Sequence, residues 1–157
     1  GLTMNFNIET LEFLQILHDG KGHWLAISTV GTAHPNVHVY DSMYTSANML
    51  VKAQIAAVLH SESPAIFLQF MNVQMQAGGC DCGLFAIAFV TALAFGKAPG
   101  QYHFDQKQMR NHLLKCLEKR KMEMFPFTKM RRANETSVKS VQKYNIFCVC
   151  RMPEMPN

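Results

Sequence analysis

Three side chains of this sequence have the types and placement of an activated thiol nucleophile: Cys82, His23 and Asp41. Cys82 closes the polar, glycine-rich stretch Gln76-Ala-Gly-Gly-Cys-Asp-Cys82 and opens an apolar run over 83–95. That run is too long and too unbroken for an exposed strand and predicts a buried helix. Cys82 then stands at the helix N-terminus, where unpaired N–H groups and the positive end of the dipole favour an anionic sulfur. His23 would be the base. Asp41 would accept a hydrogen bond from the other ring nitrogen, holding the tautomer and stabilising the imidazolium. Gln76, six residues before Cys82, offers an amide N–H to the oxygen that turns negative in a tetrahedral intermediate, with the Cys82 N–H as second donor. Gln74 is its nearest rival.

Each residue also has a plainer reading. A cysteine in an apolar segment is most often a small buried side chain, but Cys82 precedes the run instead of lying inside it. Cys80 competes for the same role and gains less from the dipole. A Cys80-x-Cys82 metal pair has no second close pair to complete four ligands, so the sequence points to no metal and no cofactor. His18 and His38 fall inside strands and read as surface or packing residues. His23 starts a strand beside Trp24, which would wall the imidazole from solvent and fix its orientation. Asp41 taken alone is a strand-ending turn residue.

These side chains need elements to position them. Phe13-Leu-Gln-Ile-Leu17 and residues 24–30 read as strands joined by the turn Asp19-Gly-Lys-Gly22, with His23 at the start of the returning strand and Leu25 and Ile27 on one face. Val37-His-Val-Tyr40 alternates as a third strand ended by Asp41-Ser42. Ser46 would cap a helix over 47–60. Pro64 precedes a strand, Ile66-Phe-Leu-Gln-Phe70. The apolar helix follows and stops near Gly96. Asp105 would cap a last helix with Met109, Leu113, Leu114 and Leu117 on one side and Lys/Arg on the other, ended by Pro126 at the latest. From Ala133 the apolar period is lost, which reads as a tail. The order strand, strand, strand, helix, strand, helix, helix predicts an α+β domain, a small sheet packed on helices.

With 157 residues, 48% of them apolar, the chain can bury a core and is not of disordered composition. The apolar run over 83–95 is well short of the roughly 20 residues that cross a bilayer, and the first 20 residues do not read as a secretory signal. Five cysteines then suggest reduced thiols in nucleus or cytoplasm, with the sequon Asn134-Glu-Thr136 idle. Nine of the fifteen Lys and Arg residues fall between positions 107 and 132. The basic helix over 107–121 carries no stacking aromatics, Phe125 and Phe127 lying past it, and reads as a solvated helix face, which disfavours nucleic acid as a partner.

In their chain order, His23-Trp24, Asp41, Gln76 and Asp81-Cys82-Gly83 resemble the ubiquitin-like-protein protease family, the SUMO- and NEDD8-deconjugating cysteine peptidases related to adenain. Papain-like enzymes place the cysteine first and match poorly. The resemblance covers roughly residues 13–127, is closest over 78–96 and 104–126, and is nearest to divergent copies from animal mobile elements. It implies a cysteine-proteinase (adenain-like) fold of α+β class with a small mixed sheet. It also implies a peptidase or isopeptidase cutting after the C-terminal Gly-Gly of a ubiquitin-like protein, free or conjugated. His23 is then the base, Asp41 the orienting acid, Cys82 the nucleophile, Gln76 the oxyanion donor and Trp24 a substrate contact. Residues 1–132 are the expected catalytic-type domain and 133–157 a tail leading into a truncated PHD-like finger, from Cys148-Val-Cys150. Position 80 departs from the family in being cysteine. Little chain precedes the first strand, so the expectation is a piece cut at both ends. Two other readings use the same residues: a non-catalytic remnant that binds a ubiquitin-like partner, and an acetyltransferase built on the same triad.

Overall fold

The computed structural model describes residues 6–7, 12–60, 63–130 and 137–145. Strand β1 (Phe6–Asn7) is followed by a hairpin of β2 (Leu14–His18) and β3 (Trp24–Ser28), in which His18 stands opposite Trp24. Next come β4 (Asn36–Tyr40), helix α1 (Met49–Val58) and β5 (Leu59–His60), the last pairing parallel with β1. Strand β6 (Ala65–Met71) precedes helix α2 (Cys82–Ala94). Strand β7 (Tyr102–Phe104), helix α3 (Gln106–Glu118), β8 (Phe127–Lys129) and β9 (Val138–Asn145) complete the described chain. The main sheet has the order β2-β3-β4-β6-β9; β4 and β6 run parallel across the α1 crossover and the other pairs are antiparallel. β7 and β8 form a separate ribbon. The chain is therefore α+β, with three helices about a mixed sheet.

Strand alternation distributes the core to both faces of the sheet. Leu25, Ile27, Val37, Val39, Ile66, Leu68 and Phe70 meet Val51 and Ile55 of α1 on one face. Ala26 and Tyr40 point the other way, into Phe85, Ala88, Phe89 and Ala92 of α2, with Phe104, Met109 and Phe125 beyond. Phe85 and Phe89 are fully buried, each worth about 1.5–3 kcal/mol of transfer free energy before entropy is counted. Helix α2 stops as the sequence predicts. Gly96 takes φ of 67°, its N–H bonds the Leu93 carbonyl and that of Lys97 bonds Ala92, a left-handed helix stop that only glycine makes without strain.

Four expectations are corrected. The cap of α1 is Asn48, whose Oδ1 accepts from the Val51 N–H at 2.9 Å; Ser46 lies outside the helix, which ends at Val58. On α3 the core-facing positions are Met109 and Cys116, with Leu113 packed alongside, while Leu114 and Leu117 are exposed. Strands β7 and β8, three residues each, were not foreseen. Within the segment expected as a tail, Val138–Asn145 is a strand along the full length of β6. The sequon at 134–136 and the pair Cys148 and Cys150 lie outside the described residues.

Candidate active site

The turn between β2 and β3 fixes the first component. Asp19 Oδ1 accepts from the backbone N–H of Lys21 (2.8 Å) and His23 (2.9 Å), and the Asp19 N–H bonds the His23 carbonyl at 2.8 Å. Burial pushes the Asp19 carboxyl up, but these N–H donors and the nearby His23 and His18 outweigh it and hold it below its ordinary value. His23 shares its strand face with Leu25 and Ile27 and is buried, 5% exposed. Its Nε2 lies 2.9 Å from Asp41 Oδ1 at the end of β4. The same Oδ1 accepts from the N–H groups of Met43 (2.7 Å) and Tyr44 (2.8 Å). A carboxylate oxygen only accepts, so Nε2 carries a proton, and in the neutral form of the ring the lone pair is on Nδ1. That Nδ1 is buried and has no hydrogen-bond partner.

Cys82 is the first residue of α2 and is buried, and its Sγ lies 4.0 Å from the carbonyl of Gly22, the residue before His23. The sulfur therefore stands against the peptide that joins Gly22 to His23. No hydrogen bond joins them here; such contacts often tighten only when substrate is bound. Cys80, the rival, is exposed in the bend before the helix.

Gln76 and Gln74 separate clearly. Both amide atoms of Gln74 bond the Phe104 backbone, Oε1 accepting at 2.6 Å and Nε2 donating at 3.1 Å, which ties it to β7. Gln76 is coupled to the residue after Asp41: its N–H bonds the Ser42 carbonyl at 2.9 Å, and its Oε1 accepts from the Ser42 hydroxyl at 2.7 Å. With Oε1 so occupied the amide orientation is set. Nε2 donates to the Gly78 carbonyl at 2.8 Å and has a second N–H.

Trp24 does not wall off His23. Successive residues of a strand point to opposite faces, and Trp24 lies with α2, its ring 3.6 Å from where a Cβ on Gly83 would stand and 4.6 Å from the His18 ring. It remains 44% exposed beside the start of α2. The ring that packs edge-on to His23 is Tyr44, at 5.0 Å and 83°. Behind the His23–Asp41 pair lies a cavity of about 300 Å³ reaching Asp19, Tyr44 and Val51. Among the described residues, no three His, Cys, Asp or Glu side chains gather as a metal site, and no helix is long and apolar enough to cross a membrane.

Sequence reasoning missed Asp19, Ser42 and Tyr44. Asp19 opens the turn Asp19-Gly-Lys-Gly22 immediately before His23, and Ser42 adjoins Asp41, so both were within sight as turn residues. Nothing in the local sequence marks Tyr44 as the ring against the imidazole. Residues 13–126 match the family model for the C-terminal catalytic domain of the Ulp1 protease family. No curated protein and no solved structure matches the chain.

Proposed function

The chain belongs to the Ulp1 protease family, cysteine proteases that act on ubiquitin-like proteins and their conjugates, and from that premise we propose that it is a thiol peptidase or isopeptidase cutting after the C-terminal Gly-Gly of a SUMO- or NEDD8-like protein. The observation that carries this reading is the His23–Asp41 contact of 2.9 Å, with the opposite ring nitrogen buried and unpartnered and the Cys82 sulfur 4.0 Å from the carbonyl of Gly22, the residue before His23. Nδ1 takes the thiol proton as Sγ attacks the terminal glycine carbonyl. The new S–C bond places negative charge on that oxygen, which the Gln76 amide and the Cys82 N–H receive. As the C–N bond breaks, the imidazolium gives its proton to the leaving amine. Water then attacks the thioester with His23 as base; the acid leaves and the proton returns to sulfur. Asp41 keeps Nε2 protonated throughout. Trp24, exposed against Gly83, is the side chain we assign to the incoming glycine tail.

The test uses SUMO and NEDD8 carrying a C-terminal vinyl sulfone. Adduct formation at Cys82, lost in Cys82→Ala, is the expected result. A folded protein that binds the probe without labelling is the remnant reading, and transfer of label from acetyl-CoA is the acetyltransferase reading; either overturns the proposal.

A further inference from the structure

Residues 77–80 form an exposed bend holding two adjacent glycines, Gly78 and Gly79, between the proposed oxyanion donor Gln76 and the proposed nucleophile Cys82. Two adjacent glycines give such a segment much conformational freedom to lose. Besides the Gln76 amide on the Gly78 carbonyl, its order comes from α3. Gln106 commits its whole amide to it: Oε1 accepts from the Ala77 N–H at 2.9 Å, and Nε2 donates to the Ala77 carbonyl at 2.8 Å and to Asp81 Oδ2 at 2.7 Å. One turn on, Arg110 Nη2 donates to Asp81 Oδ1 at 2.5 Å and to the Cys80 carbonyl at 3.3 Å. The base of this clamp is firm. Met109 is fully buried, and the Asp105 N–H bonds the Pro126 carbonyl at 2.8 Å.

Asp81 is the N-cap residue of α2, yet its side chain makes no capping bond. An aspartate at that position ordinarily turns its carboxylate onto the first free N–H groups of its own helix. Here one oxygen is held by Gln106 and the other by Arg110. The negative charge is drawn outward, and the N-terminal N–H groups beside Cys82 stay open.

We propose that Gln106 and Arg110 are positioning residues for the nucleophile: they hold the 77–81 bend and divert the Asp81 carboxylate from the start of α2, keeping that place for the oxygen of the tetrahedral intermediate. This rests on the roles proposed for Cys82 and Gln76. Without the two side chains, Asp81 is free to cap α2. The helix loses no stability by this, but a carboxylate then stands where the oxyanion must form.

The decisive comparison is a double and a triple variant. Gln106→Ala/Arg110→Gln should lower kcat by about 10²-fold, the scale of a misplaced reacting group or a lost oxyanion contact. KM for SUMO– or NEDD8–aminomethylcoumarin should stay within about 2-fold, because the clamp acts on the transition state and not on substrate binding. Adding Asp81→Ala should restore about 10-fold of that loss, since no carboxylate remains to obstruct; coupling of this sign is not expected from a purely structural role. Arg110→Lys, which keeps the charge but replaces the planar guanidinium with an ammonium on a different stem, should fall between. Lys115→Gln, on the same helix and outside the clamp, is the control. A triple variant no better than the double, or a rise in KM at constant kcat, overturns the proposal. If the wild-type protein turns over neither probe, the peptidase reading fails while the clamp is still decided by amide exchange. Exchange over 77–82 about 10-fold faster in the double variant supports it, and unchanged exchange overturns it.

Discussion

Replacing Asp41 by asparagine and by alanine should give two very different proteins, and the reason is visible at a single oxygen. Asp41 Oδ1 receives three donors: His23 Nε2, the Met43 N–H and the Tyr44 N–H, at 2.7–2.9 Å. In Asp41→Asn the two backbone N–H groups select which end of the amide takes that position. Only the carboxamide oxygen can accept from them, so the oxygen also faces Nε2 and His23 keeps its tautomer. What is lost is charge. A charge-assisted hydrogen bond is roughly twice as strong as a neutral one, so the imidazolium loses about 1–2 kcal/mol of support, which lowers kcat about 10-fold. Asp41→Ala takes the acceptor from all three donors and leaves the buried Nε2–H unpaired. Each donor left unsatisfied costs about 1–3 kcal/mol, and for a domain of this size each kcal/mol moves Tm by about 2–4 °C. The alanine variant should therefore melt at least about 6 °C below wild type, and its kcat should fall about 10²-fold or more below that of the asparagine variant. Scanning calorimetry with single-turnover kinetics on a ubiquitin-like aminomethylcoumarin substrate reads both quantities. An asparagine variant as stable as wild type but as inactive as alanine would mean the backbone donors do not set the amide, and the tautomer argument would fall.

Other expectations can be checked on the same protein. Cys82→Ser should abolish turnover with Tm nearly unchanged, while Cys80→Ser stays active; the reverse pattern identifies Cys80 as the nucleophile. Gln76→Ala should lower kcat about 10²–10³-fold, and Ser42→Ala, which only frees the Gln76 amide to turn, should cost less, about 10-fold; equal losses would show that Ser42 does more than orient the amide. For Asp19, whose carboxyl is held below its ordinary 3.8, the sign is that of a depressed acid. Its stabilisation is fully present above pH 3.8 and disappears as pH falls through the lower folded-state value. The stability gap between wild type and Asp19→Asn, measured by urea titration, should be flat above about pH 5 and shrink in acid; a gap that widens in acid contradicts the assignment. Gly100→Ala would place a Cβ 2.5 Å from the Asn72 carbonyl oxygen, so it should destabilise by about 1–3 kcal/mol, and a neutral result in thermal melts would show that the 72–100 contact is soft.

The sequence disclosed most where one element carries its own signal. The ends of α2 were legible to within a residue because a glycine-rich turn precedes the apolar run and Gly96 follows it. The β2–β3 hairpin was legible from Asp19-Gly-Lys-Gly22 between two apolar runs. What escaped was decided by distant partners. Ser46 and Asn48 are both sound caps, and the preceding loop is held by β9: Gln142 Oε1 takes the Ala47 N–H and the Ser140 hydroxyl bonds the Thr45 carbonyl, each 95 residues away. β9 itself alternates only between exposed and half-buried positions, so it carries no apolar period to read. On α3, Met109, Leu113 and Cys116 follow a helical spacing as well as the leucines do, and which stripe faces inward depends on where Phe104 and Phe125 sit. For the site, residue types and order sufficed for His23, Asp41, Gln76 and Cys82 as candidates. The network around them, through Asp19, Ser42 and Gln106, joins segments that only the fold brings together.

The proposed base and acid, His23 and Asp41, stand at the ends of sheet strands, whereas the proposed nucleophile, Cys82, opens a helix laid against the opposite face from α1. Small residues line that join: Ala26 on β3 and Ala88 and Ala92 on α2, none more than 1% exposed. Their size lets the two layers approach closely, so their packing bears on how the groups carried by each layer are spaced. The join thus works as a caliper. On the roles proposed above, one added methyl group there should widen the gap between the two layers while the fold survives. Turnover should then report on the interior as sensitively as on the groups proposed to carry it out.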